Sequence, residues 1–134
     1  MNDTDELRNL LQRYARAVDE RDLDALRAVF HADATIEGFR GTQTLDEWLA
    51  AMAEPRTFPS SMHCIGDPLI SFDGGGDGHG DRATLDSYAV VYQLGDAAAG
   101  QGDLTLGMQY RDVVERVDGI WRIRHRRPTT RWMR

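Results

Sequence analysis

Residues 104–117 and 120–127 read LTLGMQYRDVVERV and IWRIRHRR, and the dipeptide Asp118-Gly119 separates them. Both segments alternate between apolar and polar side chains, which is typical of strands that bury one face. Asp-Gly is a strong signal for a two-residue hairpin turn. The stretch therefore predicts two antiparallel strands. The alternation assigns Trp121, Ile123 and His125 to one face of the second strand, and Arg122, Arg124 and Arg126 to a solvated or subunit-facing one.

Two more strand-like regions precede this hairpin. Arg82–Leu94 predicts one long strand, and His63–Phe72 predicts strand structure that is interrupted at Asp67-Pro68. Loops 73–81 and 95–103, rich in glycine and aspartate, separate the strands. The long strand has one face made of Thr84, Asp86, Tyr88, Val90 and Tyr92.

The first third of the chain has the period of helices instead. Residues 4–18 predict an amphipathic helix, with capping-box spacing between Asp3 and Glu6. A short helix follows Asp22, Ala34–Glu37 suggests a short strand, and the capping box 44–47 begins a third helix. Helices followed by a run of strands predict one α+β domain over residues 1–134. We expect three helices to cover a curved antiparallel sheet and enclose a pocket.

Composition excludes several classes of chemistry. All sixteen basic residues are arginine, so no lysine is present to form a Schiff base. Cys64 is the only cysteine, which excludes an internal disulfide and a zinc site built on several thiolates. A net charge of −6 argues against general nucleic-acid binding. We expect a cytoplasmic protein that does not enter a membrane, because neither a leader nor a long apolar run is visible.

Several short motifs, taken in order, resemble a known family. They are YARAVDERDLDAL at 14–26, FHADA at 30–34, Met62-His63, Tyr110-Arg111-Asp112 and DGIWRI at 118–123. Together they span nearly the whole chain and resemble SnoaL-like proteins of the nuclear-transport-factor-2-like superfamily. That resemblance implies a cone-shaped α+β fold. It is compatible with dehydratases, ketosteroid isomerases, polyketide cyclases and proteins that only bind a hydrophobic ligand.

Two dehydratase branches of the family look most similar. Segments 63–66 and 128–132 resemble scytalone dehydratase, although Tyr92-Gln93 stands where that branch has a second histidine. The bile-acid 7-alpha-dehydratase branch implies a site at Tyr14, Asp19, His63 and Asp86. The expected function is a cofactor-free elimination of water next to a carbonyl, on a polycyclic, steroid-like or polyketide-like molecule.

Asp19 and His63 also suggest a catalytic pair by their chemistry. Helical geometry places Asp19 at the edge of the buried face near the helix C-terminus, where a carboxylate opposes the helix dipole. A carboxylate that holds an imidazole lets it move a proton at neutral pH. We expect the carboxylate to raise the pKa of His63 above its ordinary ~6.5. Alternatively, Asp19 belongs to a solvated turn and His63 only satisfies a backbone group.

The remaining candidate residues concern substrate binding. Tyr14 shares the apolar helix face, so its phenol either donates to a developing enolate or simply packs in the core. Asp86 lies among apolar residues on its strand, which suggests either a polar cavity or an exposed face. The substrate-binding residues expected are Asp86, Tyr88, Tyr92, Trp48 and Tyr110.

We expect neither a metal nor a cofactor. The glycine–aspartate segment 73–81 occurs once and predicts a hairpin loop rather than a calcium site. His31, His79 and His125 share no metal-ligand spacing with His63. The expected partners are a small hydrophobic substrate and further copies of the chain, as a dimer or trimer, with the arginine-bearing last strand and Trp132 at the contact.

Overall fold

A computed structural model describes residues 2–38, 41–74 and 80–134. Within these residues the chain forms three α-helices and seven strands. The helices are α1 (Asp3–Glu20), α2 (Leu23–Val29) and α3 (Leu45–Ala53). The strands are β1 (Phe30–Gly38), β2 (Gly41–Thr44), β3 (Ser60–Ile65), β4 (Leu69–Phe72), β5 (Arg82–Leu94), β6 (Leu104–Val117) and β7 (Ile120–Met133). A short 3₁₀ turn covers Ala97–Ala99.

Capping side chains fix where all three helices begin, with Asp22 as the N-cap of α2. The expected box at α3 is confirmed, because Thr44 accepts from the backbone of Glu47 and the Glu47 side chain accepts from the backbone of Thr44. The box expected at α1 is wrong: Asn2 is the N-cap and accepts from Asp5 N at 2.9 Å. Asp3 instead accepts hydrogen bonds from side chains of the β6–β7 hairpin.

The strands form one sheet in the order β2-β1-β7-β6-β5-β3, with β4 also paired to β5. The β6–β7 hairpin is confirmed: Val117 pairs with Ile120, and both turn residues have positive φ, as a type I′ turn requires. The expected curved antiparallel sheet is found with one exception among the described strands, because β1 runs parallel to β7 and makes the sheet mixed. No turn joins these strands, which are the first and the last of the chain.

A β-bulge changes the faces of β7. Val114 pairs with Ile123 and Val113 with His125, so Arg124 is an extra residue in the strand. The alternation therefore reverses after Arg124, and Arg126 becomes buried. The assignment of Arg126 to the solvated face, and of His125 to the face of Ile123, is wrong for this reason.

The helices cover one face of the sheet, which we call the inner face, and the opposite face is the outer face. Residues of β5 with inner-facing side chains are Ala83, Leu85, Ser87, Ala89 and Val91, and all are buried. Leu7, Leu10 and Leu11 of α1 are at most 1% exposed and belong to the same core. The expected α+β arrangement of three helices on a sheet is thus confirmed. None of the helices in the described ranges is long and apolar enough to cross a membrane.

Candidate active site

Asp19 and His63 meet at the end of α1 and the middle of β3. His63 Nδ1 lies 2.6 Å from Asp19 Oδ1, and the backbone N–H of His63 donates to Oδ2 at 2.9 Å. The two side chains are 20% and 8% exposed, respectively. Asp19 therefore faces the sheet, and the alternative of a solvated turn does not describe its side chain. The close contact at Nδ1 places the proton of a neutral imidazole on that nitrogen and leaves a lone pair on Nε2.

Further donors surround the Asp19 carboxylate. Ser61 donates to Oδ1 at 2.8 Å, so the carboxylate accepts three hydrogen bonds. Arg56 donates to the backbone carbonyl of Asp19 at 3.4 Å. Because the C-terminal end of a helix carries partial negative charge, this guanidinium is favourably placed. It offsets part of the dipole cost of a carboxylate at this position.

The protonation of His63 differs from what its partner alone suggests. Burial lowers the pKa of His63 below its ordinary value, and the guanidiniums of Arg126 and Arg21 lower it further, while Asp19 raises it less strongly. The expectation that the carboxylate prevails is therefore wrong. The consequence is an imidazole that is neutral at neutral pH and already in the form of a base.

Two aromatic rings enclose a buried cation beside this pair. The guanidinium carbon of Arg126 lies 4.0 Å from the ring centre of Tyr14 and 4.3 Å from that of Tyr110. Tyr14 also meets the His63 ring edge-on, with centroids 6.1 Å apart. Burial raises the pKa of Tyr14 and of Tyr110, so both phenols stay protonated. Tyr14 thus lies next to the Asp19–His63 pair, and Tyr110 lies behind it, with the two tyrosine ring centroids 5.9 Å apart.

Asp112 balances the charge of Arg126. Burial by itself would lower the pKa of Arg126, but Asp112 and the two phenols raise it, so the guanidinium is charged. Its Nη1 atom is buried and has no hydrogen-bond partner within the described part of the chain. The same is true of Ser87 Oγ, which also faces the helices. The alternation of residues in the sequence placed Arg126 on the wrong face. Its buried position depends on the bulge at Arg124, and the sequence contains no local signal for that bulge.

Three of the expected substrate-binding residues lie elsewhere. Asp86, Tyr88 and Tyr92 point to the outer face, so the expectation that they share a pocket with His63 is wrong. The inner positions of β5 are small or aliphatic because helices pack closely against them. Asp86 instead accepts a hydrogen bond from Gln109 at 2.8 Å. Trp48 is half-buried on α3, with its ring 5.5 Å from that of Phe30.

Two grooves of similar size lie on different sides of the sheet. One, of about 490 Å³, runs between α1 and β3 and is lined by Asp19, Ser61 and His63. The other, also about 490 Å³, lies on the outer face between Tyr88 and Trp132. The first groove is the candidate active site because the titratable groups with hydrogen-bonded partners converge there. Both volumes are within the range of small-molecule sites.

The described ranges contain no group of three or more histidine, cysteine or acidic side chains that could hold a metal ion. His63 and His125 lie on opposite faces of the sheet. The loop expected at 73–81 includes residues 75–79, which are outside the described residues, and His79 is among them.

The fold agrees with comparisons to known proteins. The model of the SnoaL-like domain matches residues 1–127, and the chain belongs to that family. No curated protein sequence matches the chain.

Solved structures with the same fold include two that are named as enzymes. A provisionally named scytalone dehydratase from Novosphingobium aromaticivorans superimposes with a TM-score of 0.83 at 21% identity, over 100% of this chain and 91% of that one. A type 2 hexachlorocyclohexane dehydrochlorinase (LinA) superimposes with a TM-score of 0.80 at 16% identity, over 96% of this chain and 85% of that one. A protein of unknown function from Nostoc punctiforme superimposes with a TM-score of 0.75 at 24% identity, over 97% of this chain and 95% of that one. At these identities the similarity shows the fold alone.

Proposed function

We propose that the protein is a cofactor-free lyase that eliminates water from the position next to a carbonyl in a small hydrophobic molecule. The observation that carries the proposal is the contact of 2.6 Å between Asp19 and a buried, neutral His63. Such a pair is a general base whose conjugate acid is stabilised by the adjacent carboxylate. Two structural neighbours bear the names of elimination enzymes, a dehydratase and a dehydrochlorinase, which supports the same class of reaction.

In the first step, Nε2 of His63 takes a proton from the carbon next to the carbonyl. The electron pair of the broken C–H bond moves toward the carbonyl oxygen and forms an enolate. Asp19 keeps the imidazole oriented through Nδ1 and stabilises the positive charge that the ring acquires. Proton transfer of this kind contributes about 10²–10⁴-fold to a rate.

Arg126 and Tyr14 supply the charge stabilisation that an enolate requires. Arg126 is a permanent cation with an unpaired, buried N–H among the described residues, and Tyr14 is a protonated phenol between it and His63. Donors that are fixed before the reaction stabilise a developing oxyanion more than mobile water does. We assign the carbonyl oxygen of the substrate to the Tyr14 side of His63. Arg126 is only 2% exposed and stacks on the Tyr14 ring, so it acts through Tyr14 and not by direct contact with the substrate.

In the second step, the enolate expels the hydroxyl group from the neighbouring carbon and a C=C bond forms. The imidazolium of His63 gives its proton to the leaving hydroxyl, so that water departs and the neutral base is restored. One C–H bond and one C–O bond break, and the net change is the loss of one water molecule. The same residue therefore serves as base and then as acid.

A mass-spectrometric screen of polycyclic and polyketide-like β-hydroxyketones tests the proposal. We expect at least one compound to lose one water with the wild-type protein and to remain unchanged with His63→Gln. Conversion that is equal in both proteins would contradict the proposed role of His63. A product with unchanged mass but a shifted double bond would instead assign an isomerase that uses the same proton transfer. Binding without any reaction across the panel would favour a ligand-binding module.

We also propose that the chain forms a homo-oligomer through its outer face. Six large apolar side chains on this face are between 41% and 71% exposed: Met62, Leu69, Tyr88, Tyr92, Leu94 and Trp132. The patch also holds charges of both signs, since Arg111 lies 3.8 Å from Asp86 and Arg127 lies 3.9 Å from Glu37. Large exposed apolar patches mark interaction sites, and a two-fold interface pairs the same patch on both chains, so that charges of both signs can meet across it.

A further inference from the structure

Ser61 shares an oxygen of Asp19 with His63. It stands two residues before His63 on β3, so both side chains point to the inner face. Its hydroxyl donates to Asp19 Oδ1 at 2.8 Å, and the same oxygen lies 2.6 Å from His63 Nδ1. The carboxylate charge that the imidazole experiences is therefore divided between two donors.

Arg56 determines the direction in which Ser61 donates. It lies in the segment between α3 and β3, and its Nη2 donates to Ser61 Oγ at 3.1 Å. Because a guanidinium has donors only, the Ser61 oxygen must accept from it, and the hydroxyl proton is left for Asp19. Arg56 Nη1 also donates to the backbone carbonyl of Asp19, at 3.4 Å. One guanidinium thus holds both the backbone of Asp19 and the hydroxyl group that fixes its carboxylate.

We propose that Ser61 and Arg56 are positioning residues, which lock the rotation of the Asp19 carboxylate and share its charge so that His63 is held as an oriented neutral base. Their catalytic consequence rests on the proposed function. Their effect on His63 does not, because the state of the imidazole can be measured without a substrate.

When the Ser61 hydroxyl is removed, Asp19 Oδ1 accepts a hydrogen bond from His63 Nδ1 only. Asp19 then stabilises the imidazolium more strongly, and the pKa of His63 rises. The other groups that face His63 are unchanged in this variant: Tyr14 on α1, Arg21 after it, and Arg126 on β7. Ser61→Thr retains the hydroxyl and should restore the wild-type value. Ser60→Ala is the matched control, because Ser60 is the adjacent exposed serine on the same strand.

The experiment is a pH titration of ¹⁵N-labelled protein by NMR, with the His63 ring signals assigned by their loss in His63→Gln. We expect Ser61→Ala to raise the titration midpoint of His63, and Ser61→Thr and Ser60→Ala to leave it in place. The Nδ1-protonated ring form should dominate in the wild type and in Ser61→Ala, because Asp19 Oδ1 accepts from Nδ1 in both. A midpoint that is unchanged in Ser61→Ala would overturn the proposal.

Arg56→Gln removes the guanidinium that donates to Ser61 and so tests the same hydrogen-bond chain. It replaces Ser61→Ala as the test if a thermal melt shows that Ser61→Ala does not fold. Without the guanidinium, the Ser61 hydroxyl is free to turn away from Asp19, so the His63 midpoint should again rise. A wild-type midpoint in folded Arg56→Gln would refute the role of Arg56. Failure of the proposed function would look different: the screen would show no loss of water that depends on His63, while these midpoints would still move.

Discussion

Asp112 and Arg126 form a two-bond ion pair inside the core, with Arg126 Nε 2.7 Å from Oδ1 and Nη2 2.9 Å from Oδ2. Their side chains are 0% and 2% exposed. Both charges are therefore removed from water, and each depends on the other. Since Arg126 also lies between Tyr14 and Tyr110, this pair connects the stability of the core with the candidate site.

Asp112→Asn should strongly destabilise the protein, because it leaves the buried guanidinium without a counter-charge. We expect a loss of about 3–5 kcal/mol in the free energy of unfolding, measured by urea denaturation. Asp33→Asn is the matched control: Asp33 contacts Arg124, but its side chain is 78% exposed, so about 1 kcal/mol or less should be lost. Equal losses in the two variants would contradict the special role of the buried pair.

His63→Gln should abolish turnover while the fold is retained, because glutamine can still donate to Asp19 but cannot act as a base at neutral pH. We expect kcat to fall by about 10²–10⁴-fold. His125→Gln, on the outer face, should keep wild-type kcat. The measurements are steady-state kinetics on a compound found in the screen and a thermal melt. A near-normal kcat in folded His63→Gln would rule out the proposed base.

The pH dependence of kcat/KM should show an acid limb that reports protonation of His63. Because burial lowers the pKa of His63, this limb should lie below its ordinary ~6.5. Asp19→Asn removes the charge that stabilises the imidazolium, so the pKa should fall further and the limb should move to lower pH, while the plateau rate drops. A limb that stays in place would show that the two residues are not electrostatically coupled.

The lowered pKa of His63 also predicts a change of stability with pH. As the pH falls, the unfolded chain binds this proton first, near its ordinary ~6.5, and the folded chain resists it. The stability that the neutral His63 contributes to the folded state is therefore fully present above the unfolded-state pKa of ~6.5. It is lost as the pH falls through the lower folded-state pKa. We expect wild type to lose more stability than His63→Gln between neutral and mildly acidic pH. Parallel urea-denaturation curves at each pH would argue against it.

Substitutions on the outer face should dissociate the oligomer. Tyr88→Glu and Trp132→Glu place charges in the exposed apolar patch, and we expect light scattering to show a smaller assembly without loss of helical signal. Ile120→Glu is the control, since Ile120 is 49% exposed but lies at the tip of the β6–β7 hairpin. A wild-type chain that remains a 15.1 kDa monomer at micromolar concentration would disprove the proposed assembly.

Local signals in the sequence predicted much of this structure and failed where distant segments meet. The bounds of β5, the cap at Thr44 and the turn at Asp118-Gly119 depend on neighbouring residues and were predicted correctly. The proximity of Asp19 and His63 followed from helical geometry together with the family resemblance. The parallel β1–β7 pair and the inner position of Arg126 depend on tertiary pairing and on a bulge, and neither changes the local pattern of residues.

The backbone contact between Asp19 and His63 has a consequence for the sheet itself. Within the described residues β3 is the last strand in the order, and its outward polar groups would attract a strand of another chain. Asp19 accepts the outward N–H of His63, and Gln12 of the same helix donates to the outward carbonyl of Ile65 at 3.4 Å. The helix that carries the carboxylate therefore also covers this sheet edge and keeps its backbone groups from pairing with a strand of another chain.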